Sequence, residues 1–192
     1  MKVTANEIQK ALMFFVKGSY DVVLPNFYFG WNECDVFRIT QTDYVIEYEI
    51  KVSRSDFLND FKKESRDNKK HDVLKCGEGK YCPNRFFFVV PDGLVSASEV
   101  PSYAGLIYYA HSSFSFIKSG KLIHRNKFTD YRSICHTLSE RDEGHRRRIR
   151  EIRNTDFDKE MAAMKREVES LKKQKKELSQ ELMLSVRKSK NR

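Results

Sequence analysis

From Thr4 onward the apolar residues Ile8, Leu12, Phe15 and Val16 recur at the spacing of one helical face. Thr4 stands three residues ahead of Glu7, the pattern of a capping box, so a helix is expected to begin here. Short apolar runs at 21–24 and 27–29, on either side of Pro25 and Asn26, read as a first strand. Residues 33–40 and 44–52 form two more strands, joined by the turn-like Gln41-Thr42-Asp43. Ser53 and Ser55 are candidate caps for a second helix, with Phe57, Leu58 and Phe61 on its apolar face and its end before Gly77. Residues 85–90 read as a buried strand stopped by Pro91-Asp92-Gly93, and 105–110, 114–118 and 122–125 as further strands. The order predicts an α/β domain: a mixed central sheet flanked by helices.

The pattern changes near residue 140. Residues 1–139 carry 19 Lys+Arg against 16 Asp+Glu and 23 aromatic side chains, whereas 140–192 carry 17 against 11 and one aromatic, Phe157. The chain therefore divides into a globular domain, 1–139, and a basic connector with a helical extension, 140–192. From Phe157 the apolar residues fall in heptads, with Met161, Val168, Lys175 and Leu182 at a and Phe157, Met164, Leu171, Leu178 and Ser185 at d. Glu160 and Glu167 then occupy g, and Lys165 and Lys172 the following e positions, which suits a parallel two-stranded coiled coil. A homodimer through residues 157–185 is expected. The alternatives are pairing with another protein's coil, or a helix folded back on its own domain.

A net charge of +9 points toward a polyanionic partner, and nucleic acid is the commonest. Two-thirds of that excess lies in the extension, so its location is less informative about the domain. No apolar run is long enough to cross a bilayer, and four cysteines do not make a disulfide scaffold in a chain of this size. A soluble protein of the reducing cytoplasm is expected, without membrane partners. His71, Cys76 and Cys82 lack the paired spacing and fourth ligand of a zinc site, and Gly77-Glu78-Gly79-Lys80 lacks the spacing of a phosphate loop.

The second strand of the hairpin is chemically the most informative segment. Glu47, Glu49, Lys51 and Ser53 share one face, while Tyr48, Ile50 and Val52 share the other and can pack into the core. With Gln41–Asp43 as the turn, Thr40 faces Tyr44, so Asp35 faces Glu49 and Glu33 faces Lys51, with side chains roughly 5 Å apart. Two carboxylates at that distance repel unless a cation lies between them. Such oxygen ligands suit Mg²⁺, which takes one or two carboxylates and keeps several waters. A lysine on the same face could orient or deprotonate a metal-bound water, and the set matches metal-assisted phosphodiester hydrolysis. The alternative is a solvated hairpin face stitched by cross-strand ion pairs. Lys62, Lys63, Arg66, Lys69 and Lys70 follow on the next helix, either as phosphate contacts or as a wet face. The same choice applies to Arg146, Arg147 and Arg148 in the connector.

Asp35 followed by Glu49-Ile50-Lys51, on a hairpin with a helix before it and a helix and strand after it, resembles the PD-(D/E)xK nuclease superfamily. Within it the run 47–57 and the later Ala104-Gly105-Leu106-Ile107 are similar to small bacterial and phage-associated members linked to DNA repair. The resemblance implies a restriction-endonuclease-like core, a bacterial or phage-infected cell, and a Mg²⁺-dependent deoxyribonuclease in which Mn²⁺ can substitute. It implies that Asp35, Glu49 and the main-chain carbonyl of Ile50 bind the metal and that Lys51 is the catalytic lysine. Some members add a glutamate from the first helix, for which Glu7 is the candidate; a capping role explains Glu7 equally well. Cys34 stands where many members have proline. The alternative function is a catalytically silent nucleic-acid-binding or assembly subunit that retains the fold.

Overall fold

The computed structural model describes residues 3–30, 32–62 and 68–190. Helix α1 (Ala5–Val16) is capped by Thr4, whose hydroxyl accepts the Glu7 N–H, and it buries Ile8, Leu12 and Val16 as the apolar spacing requires. Strands β1 (Val22–Phe29), β2 (Asn32–Ile39) and β3 (Val45–Ile50) follow as an antiparallel meander. Short helices α2 (Arg54–Asp60) and α3 (Asn68–Cys76) then lead to β4 (Arg85–Pro91), which lies parallel to β3. That direction demands a crossover, which the two helices supply. Strand β5 (Ala104–Ala110) pairs parallel to β4, and β6 (Ser113–Lys118) closes the sheet antiparallel to β5. The result is a mixed six-stranded sheet in sequential order β1 to β6, flanked by helices: an α/β fold.

Both faces of the sheet are covered, which is why β4 is apolar without alternation. On one face Ile8, Leu12 and Val16 of α1 pack on Val36, Tyr48, Ile50, Phe87, Val89, Ile107 and Tyr109. On the other, Phe57 of α2 and Leu74 of α3 pack on Phe86, Phe88, Val90 and Leu106. Gly105 and Gly120 bracket the Phe87 ring so closely that a Cβ at either would collide with it.

Two expectations, and the alternative of a solvated hairpin face, need correction. The second helix is not described as one rod: α2 ends at Asp60, α3 starts at Asn68, and 63–67 lie outside the described residues. Residues 122–125 are not a strand. The Asn84 side chain donates to the carbonyls of His124 and Asn126, pinning the segment from the side where a ladder would otherwise form. The face carrying Glu47, Glu49 and Lys51 does not point to water; Glu47 and Lys51 are 2% and 5% exposed.

The chain divides into two units between Thr129 and Asp130, before the composition break at 140. The second unit is a single helix, α4 (Tyr131–Lys190), of 60 residues. Among the described residues no helix is long and apolar enough to cross a membrane.

Candidate active site

The β2–β3 register is the one expected from the turn: Val36 pairs with Tyr48, Phe37 with Glu47 and Ile39 with Val45. Beyond Val36 the backbone ladder stops, because the Asp35 carboxylate takes over the next donor. Its Oδ2 accepts the Ile50 N–H at 2.7 Å, which sets Asp35 beside Glu49 at the end of β3. The Lys51 N–H donates to Val89 on β4, so by strand alternation the Ile50 N–H and carbonyl both point away from β4, and the N–H meets Asp35. The neighbouring edge is clamped from α1. Gln9 Nε2 donates both to the Asp35 carbonyl and to Asn26 Oδ1, each at 2.7 Å, where Asn26 sits at φ +47° and interrupts the β1–β2 ladder.

Around this pair runs a buried chain of charge. Lys51 Nζ lies 2.9 Å from Glu49 Oε1 and 2.8 Å from Asp60 Oδ1. Lys70 Nζ lies 2.8 Å from Glu49 Oε2 and 2.5 Å from Glu47 Oε1, and sits over the Phe86 ring. Asp60 Oδ2 is 3.0 Å from His71 Nε2, and His71 Nδ1 is 2.8 Å from the Tyr103 hydroxyl. Burial, and then the Glu47 charge, push the buried Cys34 thiol well above its usual range. Helix α3 brings Lys70, His71 and Leu74 onto one buried face, and α2 does the same with Phe57 and Asp60.

The electrostatics are set by a shortage of positive charge. Asp35, Glu47, Glu49 and Asp60 supply four carboxylates, and Lys51 and Lys70 two ammonium groups, a formal excess of −2. Burial and then the Glu49 charge push Asp35 from 3.8 up to about 6. Burial also raises Glu47, and its buried Oε1 has ion-pair contact with Lys70 but no hydrogen bond of proper geometry. Burial alone would raise Glu49, yet Lys70 and Lys51 outweigh it and hold Glu49 below its usual value. For Lys51 burial works downward, while Glu49 and the Asp60 bond outweigh it, so the ammonium is held above its ordinary range. Lys51 is therefore a fixed cation here and is not poised to take a proton.

These observations fit a divalent cation in charge and in donor type. Asp35, Glu49 and the Ile50 carbonyl are the residues that would hold it, and no donor reaches Asp35 Oδ1 among the described residues. Among those residues no group of three His, Cys, Asp or Glu side chains forms a ligand cage. The donor set is instead the sparse kind that Mg²⁺ accepts while keeping water.

The other expected residues fall as follows. Glu7 accepts from the Tyr109 hydroxyl at 3.3 Å, on the α1 face of the sheet, and is not brought to Glu49. Glu33 pairs with Tyr28 on β1 instead of facing Lys51, since the β2–β3 ladder has ended. Lys70, expected as a phosphate contact or a wet residue, is instead buried between two carboxylates. Lys62, Arg146, Arg147 and Arg148 are exposed; Lys63 and Arg66, and the Lys69 side chain, lie outside the described residues. His71 and Cys82 are engaged separately and share no site with Cys76. Asp60, His71 and Tyr103 went unread as site residues. The spacing of Asp60 three residues after Phe57 on a buried helix face was the available signal for the first of them.

No family model matches the chain, and no curated protein matches it. Among solved structures, a protein of unknown function from Silicibacter pomeroyi shares the fold, with a TM-score of 0.51 at 16% identity. The match covers 77% of this chain and 90% of that one. At this identity the likeness speaks for the fold alone.

Proposed function

We propose that this protein is a metal-dependent nuclease that hydrolyses phosphodiester bonds in DNA. The observation that carries the reading is the Asp35 carboxylate on the Ile50 N–H, which sets two acidic side chains and Lys51 at one strand end. Asp35, Glu49 and the Ile50 carbonyl would hold Mg²⁺, with Mn²⁺ as a substitute. When bound, such an ion acts as a Lewis acid toward a phosphoryl oxygen and makes water a better nucleophile. Lys51, fixed as a cation by Glu49 and Asp60, stabilises the negative charge that develops on the phosphate. Its role is electrostatic and orienting. Asp60, itself anchored by His71, is a positioning residue for Lys51.

A second reading is supported by one feature. Both oxygens of Glu49 are already paired, one with Lys51 and one with Lys70, as they would be in a silent subunit that keeps the fold to bind nucleic acid. A cleavage assay on linear, circular, branched and single-stranded DNA with Mg²⁺ or Mn²⁺ separates the two. Cutting by the wild type, abolished by EDTA, by Asp35→Asn and by Lys51→Ala, is the expected result. No metal-dependent cleavage of any substrate, or equal cleavage by the variants, would overturn the enzyme reading.

A further inference from the structure

We propose that residues 157–176 of α4 are the docking surface for a second copy of this chain, joined as a parallel two-stranded coiled coil that begins at Phe157. Helix α4 runs unbroken through this segment. Its seam is uncovered in the single chain: Phe157 is 62% exposed, Met164 61% and Leu171 57%, with Met161 and Val168 also exposed. A long helix gains most of its stability by burying such a stripe, so the segment needs a partner of the same periodicity.

Charge selects the partner and its direction. Glu160 and Glu167 flank one side of the seam at g, and Lys165 and Lys172 the other at e. None of the four makes an ion pair within its own helix among the described residues. In a parallel pair each g faces the partner's following e, so glutamate meets lysine twice on each side. In an antiparallel pair g faces g and e faces e, and like charges meet. One chain thus carries both halves of a self-complementary pattern, which a second copy satisfies. Lys175 at a further disfavours higher oligomers.

The start of the coil is set by the same frame. Upstream of Phe157 the seam would carry Asn154, Arg150 and Arg147, while the exposed Ile149 and Ile152 fall off it. Placing arginines of two chains face to face at a seam is repulsive, so pairing stops there.

The test uses the full chain. Sedimentation equilibrium is expected to give a dimer, and Leu171→Glu to raise the dimer dissociation constant at least a hundredfold. Glu160→Lys with Glu167→Lys should weaken self-association roughly tenfold, as should Lys165→Glu with Lys172→Glu, while a mixture of the two variants recovers dimer. In a chain with Cys76→Ser and Cys135→Ser, oxidation of Met161→Cys should give a covalent dimer, and Ala162→Cys, off the seam, should not. A monomer at all concentrations would overturn the proposal, as would a dimer indifferent to Leu171→Glu or equal cross-linking at 161 and 162. None of these readings depends on cleavage.

Discussion

Asp35→Asn is the most informative single substitution, because it should stabilise the protein while abolishing the proposed cleavage. Burial and the nearby Glu49 charge hold the Asp35 carboxyl at about 6, against 3.8 ordinarily. The folded state therefore keeps this proton where the unfolded chain has lost it, and stability falls as pH rises from about 4 through about 6. A displacement of about two pH units corresponds to about 3 kcal/mol, present in full above that window and absent below it. Asparagine removes the charge and retains an oxygen to accept the Ile50 N–H, the one hydrogen bond Oδ2 makes. Metal-free variant and wild type should be compared by urea denaturation at pH 4 and pH 8. The variant should gain about 2–3 kcal/mol over wild type at pH 8 and nothing at pH 4. A gap of the same size at both pH values, or a variant less stable at pH 8, would refute the reasoning.

Lys70→Met leaves Glu47 without a cation and Glu49 with Lys51 alone in a buried site, so a loss of about 3–5 kcal/mol at pH 8 is expected, shrinking as the solution is acidified; thermal melts across pH check it. Asp60→Asn removes one of the two anions that hold the Lys51 ammonium high. The alkaline limb of the pH–rate profile should then move to lower pH, with kcat falling more than KM rises. Replacing Arg146, Arg147 and Arg148 together by alanine should weaken DNA binding for all sequences alike. The plot of log affinity against log salt should lose up to about one unit of slope per lost phosphate contact. An unchanged slope would assign those arginines to a solvated helix face.

The hairpin was legible in the sequence because antiparallel pairing leaves little freedom. Once the turn is placed at 41–43, the register follows, and Tyr48 and Ile50 in the core force Glu47 and Glu49 to the opposite face. What covers that face was not legible. Periodicity scores a lysine as a surface residue, and Lys70 is inside because Glu47 and Glu49 are there to meet it, a pairing of residues more than twenty positions apart. Asp60 and His71 went unread for the same reason: their partners, Lys51 and Tyr103, come from other elements. The false strand at 122–125 has a similar origin. Its apolar pattern suits a sheet, but the Asn84 amide competes for its backbone. Glu7 satisfied a capping pattern, and its distal partner on β5 could not be read from spacing.

The proposed cation seat at Asp35 and Glu49 is the point on which the functional reading depends. Crystals equilibrated with Mn²⁺ and measured at the manganese absorption edge would locate it directly. An anomalous peak within coordination distance of the Asp35 and Glu49 carboxylates, lost in Asp35→Asn, is the expected result. Manganese bound only elsewhere, with Glu49 still paired to Lys51 and Lys70 at concentrations that support cleavage, would contradict it.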